Sequence, residues 1–384
     1  MEIKKIPDLR FSEFDEEWQF YSLESVADIY DGTHQTPKYV ESGVPFVSVE
    51  NINDIEKTDK FITEEAFEKF KIKPKKNDIL MTRITAGIIG ATSIVKNDNP
   101  LGYYVSLALI RRKDDSLDVD FLEHQINSPY FKRELHRRII HIAFPKKINL
   151  GEIGLCKIKL PEPEEQTKIA SFLAAIDKRI TLLKSKKDEL EKYKKGITQI
   201  IFNQDIRFKD ENEVDFPNWK TKRLGDIADV YQPKTISQSD LTDEGYLVYG
   251  ANGVIGRYGK YNHENSQIAV TCRGNTCGTV NWTEPFSWIT GNAMVINLDN
   301  NENVVKKYLY YLLSYTNLSY LITGSGQPQI TGDIKNHKIL IPVKKEQEKI
   351  SDFLETLDKS INVLRLQVEN TVSFKNGLLQ KMFI

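Results

Sequence analysis

The sequence predicts an α+β chain built twice over, with two mixed α/β domains, each followed by a long helix and related by an internal repeat. Three observations carry this. Ile-Lys-Leu-Pro (158–161) returns as Ile-Leu-Ile-Pro (339–342), and holding that offset of 181 to residue 384 gives 16 identities in 46 positions, far more than unrelated segments share. Within the repeated segment apolar residues recur every seven positions, the mark of a long helix with a packed seam. Ahead of each copy lie short β-branched and aromatic runs separated by Gly-rich turns, the mark of small sheets. A length of 384 residues agrees, since at roughly 150 residues per domain it exceeds what one core usually fills.

Taken in order, each copy opens on a matched start: Asp-Leu-Arg-Phe (8–11) against Asp-Ile-Arg-Phe (205–208), then Trp18, Leu23 and Ala27-Asp28 against Trp219, Leu224 and Ala228-Asp229. Strands follow at Pro45–Val49, Asp78–Thr82 and Gln267–Thr271, with Ile79, Thr82 and Gly90 corresponding to Ile268, Thr271 and Gly278. One helical patch per copy is expected, near 118–141 and 303–322, then a strand that Pro161 or Pro342 stops. The expected divisions are 1–157, 158–203, 204–338 and 339–384, with long helices over 166–203 and 347–384. With Ile169 as position a of a heptad, Ile176, Leu183, Leu190 and Ile197 also fall at a, and Phe172, Tyr193 and Ile200 at d. In the second copy Ile350, Leu357, Leu364 and Leu378 take a, while Phe353 and Phe374 take d. Position e is often apolar as well (Leu173, Ile180, Leu354, Ile361, Val368), a stripe wide enough for a bundle of three or more helices. The expected partner-helix packing residues are Ile169, Phe172, Ile176, Leu183, Leu190, Ile350, Phe353, Leu357 and Leu364.

Composition excludes several classes. Lys+Arg number 53 against 54 Asp+Glu, a net charge of −1, so nucleic-acid binding has to come from local patches. Cys156, Cys272 and Cys277 are too few and scattered for a disulfide framework, and Met1 to Asp8 lacks the apolar stretch of a signal peptide. A cytoplasmic protein is expected. Tyr308 to Gly332 carries no charge, yet its Asn, Gln, Pro and Gly content suits a buried aromatic helix and a polar loop, not a membrane span.

The search for catalytic chemistry finds no phosphate loop, no HExxH, no paired CxxC, and no Asn/Asp-Pro-Pro-aromatic tetrapeptide of amino-methyltransferases. Cys272-x4-Cys277 lacks two further ligands, His263 standing alone, so no metal site is expected. Gly250-Ala251-Asn252-Gly253-Val254-Ile255-Gly256 is spaced as a hairpin turn, not a dinucleotide fingerprint. No catalytic residue is expected. Basic and amide loops are more informative. Lys132 to Lys159 holds eight Lys/Arg against Glu134 and Glu152, which suits a phosphate-facing surface, although a solvated helix face serves equally for Lys132 and Arg133. Pro145-Lys146-Lys147 recurs as Gly326-Gln327-Pro328-Gln329, Lys suiting guanine acceptors and Gln adenine. Arg83 and Arg273 follow strand ends in both copies, open to DNA contact or structural pairing. Asn252 and Asn275, in the Gly-rich turns, complete the candidate DNA-binding set of Arg83, Lys146, Lys147, Asn252, Arg273, Asn275, Gln327 and Gln329.

Two divergent domains, each followed by a matching helix entered through Leu160-Pro161 to Glu165-Gln166 or Ile341-Pro342 to Glu346-Gln347, resemble the specificity subunit of type I restriction-modification systems over essentially the whole chain. The Trp-x4-Leu-x3-Ala starts and Val248-Tyr249-Gly250-Ala251-Asn252-Gly253 fit as well. The resemblance implies two target recognition domains, each reading half of a bipartite, asymmetric site in double-stranded DNA. It implies two long antiparallel coiled-coil helices with pseudo-twofold symmetry that set the half-site spacing and dock modification subunits, two of them expected. These would methylate adenine with S-adenosylmethionine, and ATP-driven, Mg-dependent restriction subunits would join. This chain itself would bind no cofactor. A helix of 38 residues at 1.5 Å each is about 57 Å long, which implies short half-sites separated by roughly one half to one helical turn. A self-contained methyltransferase and a coiled-coil scaffold without DNA specificity remain as alternatives.

Overall fold

The computed structural model describes residues 6–251, 253–324 and 326–383. The chain forms two compact units, residues 1–184 with 366–384 and residues 185–365. Each unit thus combines a recognition domain with part of both long helices, a division that cuts across the four sequence segments.

Both units are built on one sheet topology. In unit 1 a four-stranded sheet runs in the order Ala27–Asp31, Leu107–Arg112, Ile79–Thr82, Thr92–Ile94; in unit 2 it runs Asp229–Tyr231, Ala293–Asn297, Ile268–Thr271, Val280–Trp282. Every neighbour pair is antiparallel. The inner strands are buried on both faces, which explains their continuous apolar runs. Alternation at period two sends Ile79 and Met81 to one core and Leu80 to another. In unit 2 it sends Ile268 and Val270 one way and Ala269 the other. A smaller sheet carries the same parallel pairing twice, Val44–Val47 with Gly102–Tyr103 and Tyr246–Gly250 with Trp288–Ile289. The strand before each long helix pairs back to the start of its domain, Lys157–Leu160 with Gln19–Ser22 and Lys338–Ile341 with Lys220–Arg223.

The repeated Glu-Gln is explained by two latches. Arg10 donates to both carboxylate oxygens of buried Glu165, at 2.8 and 2.7 Å, and Arg207 does the same to Glu346, at 3.0 and 2.7 Å. The neighbouring Gln166 Oε1 accepts from the Asp118 backbone N–H at 3.0 Å, and Gln347 Oε1 from the Val305 N–H at 2.8 Å. Those amides stand at the N-caps of the helices Val119–Asn127 and Lys306–Tyr315, where orphan donors need acceptors. The second of these helices buries Tyr308, Tyr311 and Leu313, as the uncharged run led us to expect. No helix among the described residues is long and apolar enough to cross a membrane.

The long helices span Pro163–Phe202 and Lys344–Met382, starting three residues ahead of the sequence estimate. They run antiparallel within each unit: Ile169 and Leu173 pack with Leu378, Leu379 and Met382 in unit 1, where Lys375 also bonds Asp177, while Lys194 bonds Asp358 in unit 2. The heptad register needs correction. Leu173 and Leu354 are fully buried and Ile180 nearly so, whereas Tyr193 and Phe374 are more than half exposed. The seam therefore consists of the positions numbered a and e above. Phe172 and Phe353 lie beside it, edge-on to Phe11 and Phe208 of the Asp-Leu/Ile-Arg-Phe segments, and not in a helix–helix interface. Of the other expected packing residues, Ile350 and Leu364 are buried, Leu357 packs on the unit 2 core, and Ile176, Leu183 and Leu190 are half-buried. Each C-terminal helix end enters a domain core: Phe383 meets Trp18 and Phe121, and Phe202 meets Tyr308, which in turn meets Trp219.

Candidate nucleic-acid interface

In each unit the strand Ile79–Thr82 or Ile268–Thr271 runs out of the sheet to meet a returning segment at an edge. In unit 1 the chain leaves through Arg83 and pairs Ile84–Thr85 with Lys146–Lys147. In unit 2 it leaves through Cys272, and Arg273 bridges Gln329. The backbone contacts match: Ile148 N donates to Arg83 O and Ile330 N to Cys272 O, both at 3.0 Å. The structure thus joins the residues that the sequence had singled out in separate stretches.

It also corrects their pairing. Arg83 corresponds to Cys272, not to Arg273, and a slip of one residue along a strand moves a side chain to the opposite face. Arg83 is 7% exposed and Cys272 is 0% exposed. The Arg83 guanidinium donates to Val105 O at 2.9 Å and Ile148 O at 3.1 Å, with Asp31 at 3.8 Å. Burial pulls its pKa down while Asp31 opposes that shift. Cys272 Sγ donates to Gly291 O and accepts from Gln232 Nε2, and burial pushes its thiol pKa up. The expectation that Arg83 contacts DNA is therefore replaced by an anchoring role for the Ile148 strand. Arg273, one residue on, is exposed.

The basic run from Lys132 to Lys159 is not a single face. Lys132 reaches inward to Gly90 O and Asn127 Oδ1, and burial lowers its pKa to about 8, with Glu123 opposing. Arg138 pairs with Glu134, and buried Lys159 lies over the Phe20 and Tyr130 rings at 4.8 and 4.9 Å. Lys146 and Lys147 remain exposed on the edge strand, and neither has a carboxylate partner among the described residues. Unit 2 exposes Asn275, Gln327 and Gln329 beside Arg273. Asn252 lies outside the described residues; the strands Tyr246–Gly250 and Gly253–Tyr258 pair antiparallel as the expected hairpin. Cys272 and Cys277 are free cysteines, and among the described residues no cluster of His, Cys, Asp and Glu could hold a metal.

Sequence reasoning missed the apolar side chains on the unit 1 edge. Ile142 is 98% exposed and Phe144 is 90% exposed, immediately before Pro145-Lys146-Lys147. Their only signal was position, two large apolar residues inside the most basic loop.

Comparison with known proteins follows the same division. A family described as "Type I restriction modification DNA specificity domain" matches residues 15–192 and 217–372. The Type I restriction enzyme MjaVIII specificity subunit of Methanocaldococcus jannaschii is 28% identical over 224 residues, covering 55% of this chain and 51% of the relative; the matched stretch is about half of that relative's length. The same organism's putative type I restriction enzyme MjaX specificity subunit is 24% identical, covering 96% of this chain and 93% of the relative. Among solved structures, the S subunit of a type I restriction-modification system from M. genitalium shares the fold with a TM-score of 0.64 and 17% identity, 99% of each chain being covered.

Proposed function

We propose a function from one premise: the chain belongs to the type I restriction modification DNA specificity family. It is a DNA-specificity protein with two recognition domains. In the proposed reading each domain reads one half of a bipartite, asymmetric site in double-stranded DNA. The observation that carries this is the matched edge, one backbone arrangement presenting Lys146 and Lys147 in one unit and Arg273, Asn275, Gln327 and Gln329 in the other. Equivalent scaffolds that present cations in one unit and hydrogen-bonding amides in the other suit two different half-sites.

The chain acts in this reading as a non-catalytic, cytoplasmic subunit that positions two modification subunits and, in the larger complex, restriction subunits. S-adenosylmethionine, ATP and Mg2+ belong to those partners. Support for docking comes from the long helices, which expose Leu182, Leu366 and Phe374 in unit 1 and Tyr193 and Val363 in unit 2, more apolar surface than a solvated helix usually shows. Neither a self-contained methyltransferase nor a DNA-independent scaffold is favoured by the family.

The test is to assemble the chain with its modification subunit and map methylated adenines across a genome. Exchanging residues 10–155 for another member's domain should change one half of the mapped site and leave the other. A change in both halves overturns the modular reading, and methylation without sequence preference overturns the function itself. Inserting four residues beside Lys187, about one turn of helix, should lengthen the gap by one or two base pairs and keep both half-sites.

A further inference from the structure

The edge strand of unit 1 ends a tight protrusion. Ile140 N donates to Lys147 O at 2.8 Å and closes its base. The His141 ring donates from Nε2 to His136 O at 3.0 Å, and Arg83 holds Ile148 from both backbone and side chain. The segment between, which carries Ile142 and Phe144, is thus held at both ends by buried or paired groups while those two side chains stand almost fully in water. Side chains of this size are exposed together where something else covers them. The fold does not demand them, since the matching unit 2 segment reads Gly324-Ser325-Gly326-Gln327-Pro328-Gln329.

The charge around them selects the occupant. Residues 136–147 include four Lys/Arg and two His and no Asp or Glu, and Lys146 and Lys147, with no carboxylate partner among the described residues, present cations at the foot of the protrusion. An apolar tip on a cationic base is complementary to duplex DNA, whose phosphates flank an apolar stack of bases. We infer that Ile142 and Phe144 form a wedge that enters one base step of the half-site read by unit 1, through the minor groove, while Lys146 and Lys147 hold flanking phosphates. Inserted Phe and Ile side chains unstack a step and kink the duplex. Pyrimidine–purine steps yield most easily, so the half-site is expected to contain one at the point of entry, selected by deformability and not by hydrogen bonding. The inference rests on the DNA-reading function proposed above and deepens it.

The experiment uses the chain assembled with its modification subunit and a duplex selected by that complex from a random pool, carrying 2-aminopurine at successive positions. Beyond the rise at the adenines that the modification subunits flip out for methylation, the expected result is a further fluorescence rise at one unmethylated step of the half-site read by unit 1. The double variant Ile142→Ala/Phe144→Ala should abolish that further rise and weaken binding roughly tenfold or more, the scale of base–aromatic stacking. Its salt dependence should be unchanged, because no phosphate contact is lost. Phe144→Trp should restore the signal. Wild-type binding and fluorescence in the double variant would overturn the wedge while leaving the DNA-reading function intact. So would a double variant that fails to assemble with the modification subunit, which would make the tip a protein dock. A wild-type complex that selects no sequence would instead sink the function on which the wedge rests.

Discussion

The two units solve one structural problem with unlike chemistry at the same position. At the strand end, Arg83 in unit 1 and Cys272 in unit 2 each point inward and donate to a backbone carbonyl in the turn before the neighbouring strand, Val105 O or Gly291 O. One uses a guanidinium and the other a thiol. The next residues, Ile84 and Arg273, take the outward place. A carbonyl needs a donor but is indifferent to which side chain supplies it. The scaffold therefore tolerates replacement inside as long as bonds are met, and outside it leaves composition free: lysines and bare apolar groups on one edge, amides and glycines on the other.

The comparison can be broken most sharply at the latches. Removing one partner of a buried ion pair leaves a buried charge alone, at roughly 3–5 kcal/mol. Arg10→Ala is expected to destabilise unit 1 by that order and Arg207→Ala unit 2 by somewhat less, since the Arg10 side chain is 9% exposed and Arg207 is 20% exposed. Backbone hydrogen exchange in urea, read separately for the residues of each unit, follows the two losses. Equal loss in both units from either variant would show that they do not unfold separately.

At the strand ends, Arg83→Ala should cost about 2–3 kcal/mol through two carbonyls left without donors, and Cys272→Ser roughly 1 kcal/mol or less, because serine still donates. Chemical denaturation of the full chain reads both. A neutral Arg83→Ala would refute the anchoring role.

Acid should separate the units next. The helix Val119–Asn127 sets His124 beside Asp177, and the helix Lys306–Tyr315 sets Tyr311 against Asp358, its hydroxyl donating at 2.7 Å. Burial, reinforced by Lys375, lowers the His124 pKa to about 4, below its unfolded value of about 6.5. The unfolded chain then binds more protons between those limits, so stability falls as pH drops from about 6.5 to 4. The loss is about 3 kcal/mol at its full extent, and His124→Tyr should remove its share. His263 and His337 of unit 2 are shifted the same way by burial and add a slope that this variant leaves in place. An unchanged acid slope for unit 1 would refute the assignment.

The smallest effect lies on the edges. Lys146→Ala/Lys147→Ala should weaken DNA binding uniformly and flatten its salt slope by roughly 1.8, two contacts at about 0.9 each. Gln329→Ala should instead relax one base of the other half-site with the slope unchanged. Identical salt behaviour in the two variants would erase the contrast between cationic and amide edges.

Much of the fold was legible because it is encoded in spacing. The offset of 181, the prolines before the long helices and the matched Trp18 and Trp219 starts are one-dimensional signals that survive divergence. The helix seam was legible only in part: Phe172 and Leu173 are neighbours of equal apolarity, and which one faces inward depends on Phe11, 161 positions before Phe172 in the chain. Arg83 and Arg273 were matched by residue type, whereas the ladder matches them by carbonyl, one residue apart. Ile142 and Phe144 were missed despite their place in a basic loop because an apolar residue in a sequence reads as core until the surrounding surface is known.

The latch at Gln166 and Gln347 has a consequence for inheritance. Each glutamine grips a main-chain amide, Asp118 N or Val305 N, and every residue except proline offers that group. A recognition domain brought in by recombination would meet an acceptor that does not ask what side chain it carries. The repeated segment can thus act as a common socket for any domain that also brings the arginine paired with Glu165 or Glu346, and new pairings of such domains can arise in one genetic event.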